Sequence, residues 1–267
     1  MTVIFAVCAT WAVSVGAEGP LFADDSVFDL AISAPLTRLM RQAADAADVS
    51  GRMELADGTS VPISLNKYGI SRLRECDLAS LQITVAADDV AGTVFEGHEI
   101  LRLVTPCHLR GAFDKYTMLE YLVYRSYGLI ADSALRVRLV NVNFQNDEKA
   151  DRGQTGHAFF IEDIGRAAAR RGLEWLDIQS QPSSVLDPEQ LTLMTLFQYM
   201  VGNTDWSAFM GRPDHRCCHN VAVFGRDGVD FNTVVPFDFD QTGLVNAPYA
   251  APNCRLPIMQ CASARIK

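Results

Sequence analysis

The chain has 267 residues, 49% of them hydrophobic, with 23 Lys plus Arg against 32 Asp plus Glu for a net charge of −9. That length can bury a real core in one large or two small units, and 9% aromatic with 21% charged residues exclude a disordered or collagen-like polymer. An acidic chain repels phosphate backbones, so no nucleic acid partner is expected, and no apolar run reaches the ~18–20 residues of a membrane-spanning helix.

Residues 1–17 carry no charged side chain and end Val15-Gly16-Ala17, with the −3 and −1 pattern that signal peptidase reads. The segment reads as a signal peptide; the alternative is a buried N-terminal strand or helix. Export to a periplasmic, cell-surface or secreted location would follow, with no transmembrane anchor after its removal. Cleavage would leave 250 residues and an even set of cysteines, Cys76, Cys107, Cys217, Cys218, Cys254 and Cys261, as suits an oxidising compartment.

In chain order, residues 27–32 read as a strand and 36–47 as a short helix. Asp57-Gly58, between the apolar runs 53–55 and 61–65, marks a hairpin. Strands are expected over 81–85 and 100–104. Residues 135–142 alternate apolar and basic side chains as a half-buried antiparallel strand does, and 157–162 add another. A helix over 115–127, capped by Asp114, presents Tyr116, Leu119, Val123 and Tyr127 on one face.

The second half turns helical. Residues 164–171 form a helix stopped at Gly172, and Asp187-Pro188-Glu189-Gln190 opens another that carries Leu193, Phe197, Met200 and Val201 and stops at Gly202. Strands over 221–224 and 233–237 follow, joined through Arg226-Asp227-Gly228. The pattern predicts an α+β fold in two lobes: a β-rich N-terminal lobe over 18–163 and a helical C-terminal lobe over 164–267.

Several polar residues fall where chemistry is done. Glu120 lies within or at the edge of an apolar helical stripe, where it either meets a cation, with Arg102 as the candidate, or sits at the rim and reaches water. Asp205 follows Gly202 on a loop held by a rigid helix, as a turn residue or as an acid–base group. Asn220 opens the late hairpin, and Asp238-Phe239-Asp240 leaves its second strand. Together these make a hard, oxygen-rich set suited to Mg²⁺ or Mn²⁺ held against phosphates.

The order helix, Asp-bearing loop, Asn-led hairpin and Asp-x-Asp resembles the catalytic lobe of protein-kinase-like folds. Pro236-Phe237-Asp238-Phe239-Asp240, followed by Gly243, and Tyr68-Gly69-Ile70-Ser71-Arg72 upstream are most similar to the atypical spore-coat-protein-H (CotH) kinase-like family. The resemblance implies a bilobal protein-kinase-like fold with a metal-site hairpin, and transfer of the ATP γ-phosphate to a protein or small hydroxyl acceptor. It implies Asp205 as base and Arg102 as the phosphate-binding cation, with Glu120 as its partner. Asp163 would lie near the nucleotide at the lobe boundary; Asn220 and Asp238 would be metal ligands, assisted by Asp240.

The chain also departs from the kinase pattern. Fourteen residues separate Asp205 from Asn220, where kinases have about four; an Arg stands for the usual Lys, Thr204 precedes Asp205, and there is no GxGxxG loop. These departures keep open an inert exported kinase-like interaction module. The cluster His215, Cys217, Cys218 and His219 raises a zinc-binding domain as a third reading. For an exported chain, disulfides are the expected use of the cysteines: Cys76 with Cys107, and Cys217 or Cys218 with Cys254 or Cys261. Only about eighteen residues follow Tyr249, fewer than a kinase-like lobe requires, so the C-terminal lobe reads as truncated.

Overall fold

The computed structural model describes residues 19–250, apart from 44–45, 70–71, 110–112, 150–152 and 214. The signal peptide read over 1–17, Asp214, Cys254, Cys261 and the Ile70-Ser71 part of the upstream motif lie outside the described residues. Among the described residues no helix is long and apolar enough to cross a membrane.

Strands β1 (Phe28–Ala34), β2 (Val49–Leu55), β3 (Ser60–Lys67), β4 (Leu81–Thr84), β5 (Ile100–Val104), β6 (Val137–Asn146) and β7 (Gln154–Ile161) close into a barrel of order β1-β2-β3-β4-β5-β7-β6. Neighbours pair antiparallel except β1 with β6, which run parallel from Phe28 opposite Val140 to Ala34 opposite Asn146. Closure leaves the barrel no unpaired edge. The hairpin at Asp57-Gly58 forms: Gly58 takes the positive φ of 87° that a tight turn requires, and Asp57 Oδ1 accepts from Thr59 N–H.

Side-chain alternation sorts the two faces of the barrel. Ile32, Met53, Leu65, Leu81, Leu103, Val140 and Phe160 fill the interior. Val104, Leu139 and Phe159 point outward and are buried again beneath a second layer. That layer includes α3 (Asp114–Gly128), packed on β7. It continues with α4 (Ile164–Arg170), α5 (Pro188–Met200) and a three-stranded sheet of order β10-β9-β8 from β8 (Glu174–Trp175), β9 (Val221–Gly225) and β10 (Thr233–Pro236). Two short helices, α1 (Leu36–Arg41) and α2 (Arg72–Glu75), sit on barrel connections.

The expected bilobal protein-kinase-like fold with a helical C-terminal lobe is overturned. The first half is a closed seven-stranded mixed barrel, and the second half holds two α-helices and a small sheet among the described residues. Closure rests on β1 meeting β6 more than a hundred residues later, a pairing that no local pattern encodes. Hence β6, expected to be half-buried, has residues packed on both of its faces: Val137 and Leu139 outside the barrel, Val140 and Val142 within it. Arg138 is buried too, donating to the Ser26 and Leu21 carbonyls. α1 ends at Arg41 rather than 47.

Asp114 does not cap α3 with its side chain; it lies in the first turn and accepts from His157 N–H. The signals for α5 hold: Asp187 Oδ1 accepts from the N–H groups of Glu189 and Gln190, with Pro188 in the first turn.

Candidate functional site

A cleft of about 490 Å³ opens between the barrel wall and the second layer. It has two chemical halves. One is apolar, with Val104, Leu135, Ile161, Ile164 and Trp175; the other gathers Arg72, Arg102, Glu120, Asp205, Arg212, Asn220 and Asp238.

The barrel contributes through strand parity. In β5, Leu101 and Leu103 point inward, which turns Arg102 and Val104 outward to the cleft. Arg102 lies 3.6 Å from Asp163 Oδ2 and 5.9 Å from the Tyr68 ring centroid. It is not the partner of Glu120. Asp163 does not line the cleft: its Oδ1 caps α4 by accepting from Gly165 and Arg166 N–H, and it borders a separate hollow with His98, Glu99 and Arg166.

Glu120 is at the centre of the buried face of α3, 2% exposed, with Thr117, Val123, Tyr124 and Tyr127. The cation it requires comes from Arg72, whose Nη2 donates to Glu120 Oε2 at 2.7 Å. Arg72 Nε donates to Asp240 Oδ2 at 3.2 Å, and its Nη1 donates to the Thr105 carbonyl at 2.7 Å. Asp240, 1% exposed, is therefore bound behind the cleft rather than lining it. The disulfide Cys76–Cys107 ties the end of α2 to the segment after β5, anchoring the turn that carries Arg72.

Arg72 had no chemical role in the sequence pattern beyond its place in the upstream motif. Choosing it over Arg102 as the partner of Glu120 required knowing where α2 folds.

The second layer contributes through the hairpin and the loop after α5. Asn203 organises that loop: its Oδ1 accepts from Asp205 N–H and its Nδ2 donates to Gln198 Oε1. Gly202, at φ 66°, passes so close to Gly243 that a Cβ would lie 3.3 Å from its Cα.

Asp205 Oδ1 accepts from His219 Nε2 at 2.7 Å. Asn220 Nδ2 donates to the Asp205 carbonyl at 2.7 Å and to its Oδ2 at 3.3 Å. The His219 hydrogen bond, helped by the nearby Arg212 and Asn220, holds the Asp205 carboxyl below the usual range.

Asn220 and Asp238 sit at adjoining ends of the β9–β10 hairpin, where Val221 pairs with Pro236 and Phe237 N–H donates to the Asn220 carbonyl. Both adopt left-handed backbone conformations, φ 54° and 62°. Asn and Asp tolerate that region best among non-glycine residues, and such residues gather at functional sites. Asp238 N–H donates to the Tyr124 hydroxyl at 2.7 Å. Its carboxylate makes no hydrogen bond or ion pair with a described residue. Desolvation, and then the charge of Asp240, push its pKa up to about 7. Burial likewise raises Glu120, against the pull of Arg72.

Glu120 and Asp238 at the floor of the cleft and Asp240 behind it thus surround the guanidinium of Arg72, and only Glu120 and Asp240 touch it. Among the described residues no three His, Cys, Asp or Glu side chains are gathered to enclose an ion on their own. A Mg²⁺ or Mn²⁺ ion bound mostly through water and ligand phosphates needs only one or two protein carboxylates, and Asp238, with Asn220 beside it, fits that description.

The zinc reading fails on its thiols, since Cys217 and Cys218 are buried and joined to each other. Cys76–Cys107 forms as expected, and the expected bridges to Cys254 or Cys261 fall outside the described residues. Of the seven residues singled out from the sequence, Arg102, Glu120, Asp205, Asn220 and Asp238 meet at one cleft, and Asp163 and Asp240 stand one step behind it.

No protein-family model matches the chain, and no curated protein matches it.

Proposed function

We propose that the cleft binds ATP with a divalent cation and transfers the γ-phosphate to a hydroxyl acceptor, either a protein or a small molecule. The observation that carries this reading is the Asp238 carboxylate at the cleft floor, which has no hydrogen-bond or ion-pair partner among the described residues and lies near Glu120 and Asp240, the two carboxylates that share Arg72. Uncompensated negative charge out of water is costly, and a cation entering the cleft removes the cost. Asp238 and Asn220 would hold that ion, which would neutralise charge on the transferring phosphate. Arg102 lies 3.6 Å from Asp163 and would turn from it to reach phosphate oxygens. The apolar half, with Trp175, Ile161 and Leu135, suits the planar base.

Asp205 would orient the acceptor hydroxyl. Its oxygen forms the new bond to phosphorus as the bond to the diphosphate breaks, and its proton passes to the Asp205 carboxylate. In a loose transition state that proton moves late, so a weakly basic carboxylate suffices.

A second reading, ligand binding without turnover, is favoured by one fact: both Asp205 oxygens already accept from His219 and Asn220. Isothermal titration of ATP with Mg²⁺ or Mn²⁺ into the wild type and Asp238→Ala tests the site. Metal-dependent binding lost in the variant supports it, and no binding to folded wild type overturns it. Release of labelled γ-phosphate to a hydroxyl acceptor separates the first reading from the second.

A further inference from the structure

The fourteen residues between Asp205 and Asn220 are not a loose loop. Ser207 N–H donates to the His219 carbonyl and His219 N–H to the Met210 carbonyl, so the segment closes on itself. Gly211 N–H donates to Gln179, Cys217 N–H to Ile178, and the Gln181 side chain to the Ala208 carbonyl, which pins it to residues 178–181. The turn is tight at Gly211, where a Cβ would come within 2.9 Å of the His215 and Arg216 carbonyl oxygens. The buried Cys217–Cys218 pair closes its base. This braced segment delivers Arg212 to the cleft.

Four arginines line the cleft, and three have structural engagements. Arg72 is bound by Glu120, Asp240 and Thr105. Arg216 pairs with Asp177 at 3.1 Å and covers the Trp175 ring at 4.5 Å. Arg102 leans on Tyr68 and Asp163. Arg212 differs. Its nearest carboxylate oxygen among the described residues is Asp205 Oδ1 at 3.9 Å, beyond hydrogen-bond reach, and its side chain is 41% exposed.

Its one close polar contact among the described residues, Nη2 to His219 Nε2 at 3.1 Å, cannot be a hydrogen bond while His219 serves Asp205. The 2.7 Å contact with an ionised carboxylate oxygen requires the proton on Nε2, and a protonated Nε2 has no lone pair left to accept from Arg212. A guanidinium that never loses its charge is therefore held in the cleft, near Asp205 and Asp238, with no hydrogen bond to its outer donors among the described residues.

We propose that Arg212 is an anion-binding residue that takes a phosphate group of the ligand through its guanidinium fork, held in place by the braced segment that follows Asp205. The inference rests on the reading of the cleft as a phosphoryl site and adds to it a second arginine, besides Arg102, that grips the ligand. Planar, two-pronged donation is the geometry that phosphate oxygens accept best, and the charge balances an anion brought close to Asp205 and Asp238.

The test is titration of metal-free inorganic tripolyphosphate, and separately of ATP with Mg²⁺, into wild type, Arg212→Ala, Arg212→Lys and Asp238→Asn. Thermal melts confirm that the exposed Arg212 substitutions leave the fold intact. The expected result is tripolyphosphate binding weakened about 10- to 100-fold in Arg212→Ala and less in Arg212→Lys, with Asp238→Asn losing only the metal-dependent component for ATP. Unchanged tripolyphosphate affinity in Arg212→Ala overturns the inference, while metal-dependent ATP binding that is lost in Asp238→Asn leaves the phosphotransferase reading standing. Tripolyphosphate binding that depends on Arg212, without metal-dependent ATP binding, keeps the anion site and removes the phosphotransferase reading. No binding of either probe to wild type overturns both.

Discussion

Arg72 and Glu120 meet across 2.7 Å with both side chains almost wholly out of water, joining the turn before β4 to the middle of α3. Removing one partner of such a pair strands the other charge in a low-dielectric interior. Arg72→Ala should therefore cost about 3–5 kcal/mol of stability. Urea unfolding of the variant measures it, and a loss below about 1 kcal/mol would show that water or a neighbouring proton compensates.

Substitution of Asp205 separates binding from transfer. Asp205→Asn keeps the loop, because Asn203 still receives the backbone N–H at position 205. It removes the carboxylate that accepts from His219. If transfer occurs, its rate should fall about 100-fold or more, with nucleotide affinity nearly unchanged in titration. A matching loss of affinity would place Asp205 in ligand binding instead.

The Cys76–Cys107 bridge closes a loop of sequence separation 31. By chain entropy alone, breaking it should cost about 3–4 kcal/mol. The double variant Cys76→Ser, Cys107→Ser should unfold at correspondingly lower denaturant, and it should bind ATP more weakly because α2, which carries Arg72, is anchored there. Equal stability of the oxidised and double-variant proteins would refute the constraint.

His98 is 5% exposed, its Nε2 without a partner among the described residues. Burial, reinforced by Arg166, pushes its pKa down to about 4. A base whose folded-state pKa lies below its unfolded value contributes stability that is present above about pH 6.5 and is lost as pH falls toward 4. Stability should drop by about 3 kcal/mol across that window, and the drop should shrink in His98→Gln. Unfolding curves at a series of pH values provide the measurement.

Some of the site was legible from local pattern. Asp205, Asn220 and Asp238 follow a helix stop and flank a hairpin, and turn chemistry places such residues within a few positions. Glu120 was legible as a carboxylate in an apolar stripe, but its depth was not. Whether it reached water depended on Arg72, 48 residues earlier and in no periodic relation to it. The same limit explains why Arg102 was paired with Glu120 in the sequence reading and with Asp163 in the structure. Strand parity says which way a side chain points and not which charge waits there.

The fourteen residues between Asp205 and Asn220 depart from the kinase-like spacing in the sequence, and in the fold they carry Arg212 to the cleft. Its anchors to residues 178–181 are backbone hydrogen bonds between segments that no side-chain pattern links.

By itself, the sequence determined most of the strands and longer helices, though not α2 or β8, and the chemistry of the hairpin ends: caps, turn glycines and apolar periodicity act over a few residues, within reach of a local reading. Only the tertiary structure decided that seven of those strands close into a barrel, because closure depends on β1 lying parallel to a strand more than a hundred residues away. It alone also decided which charges neutralise which. Burial sets the strength of an ion pair, and burial is a property of the packed whole.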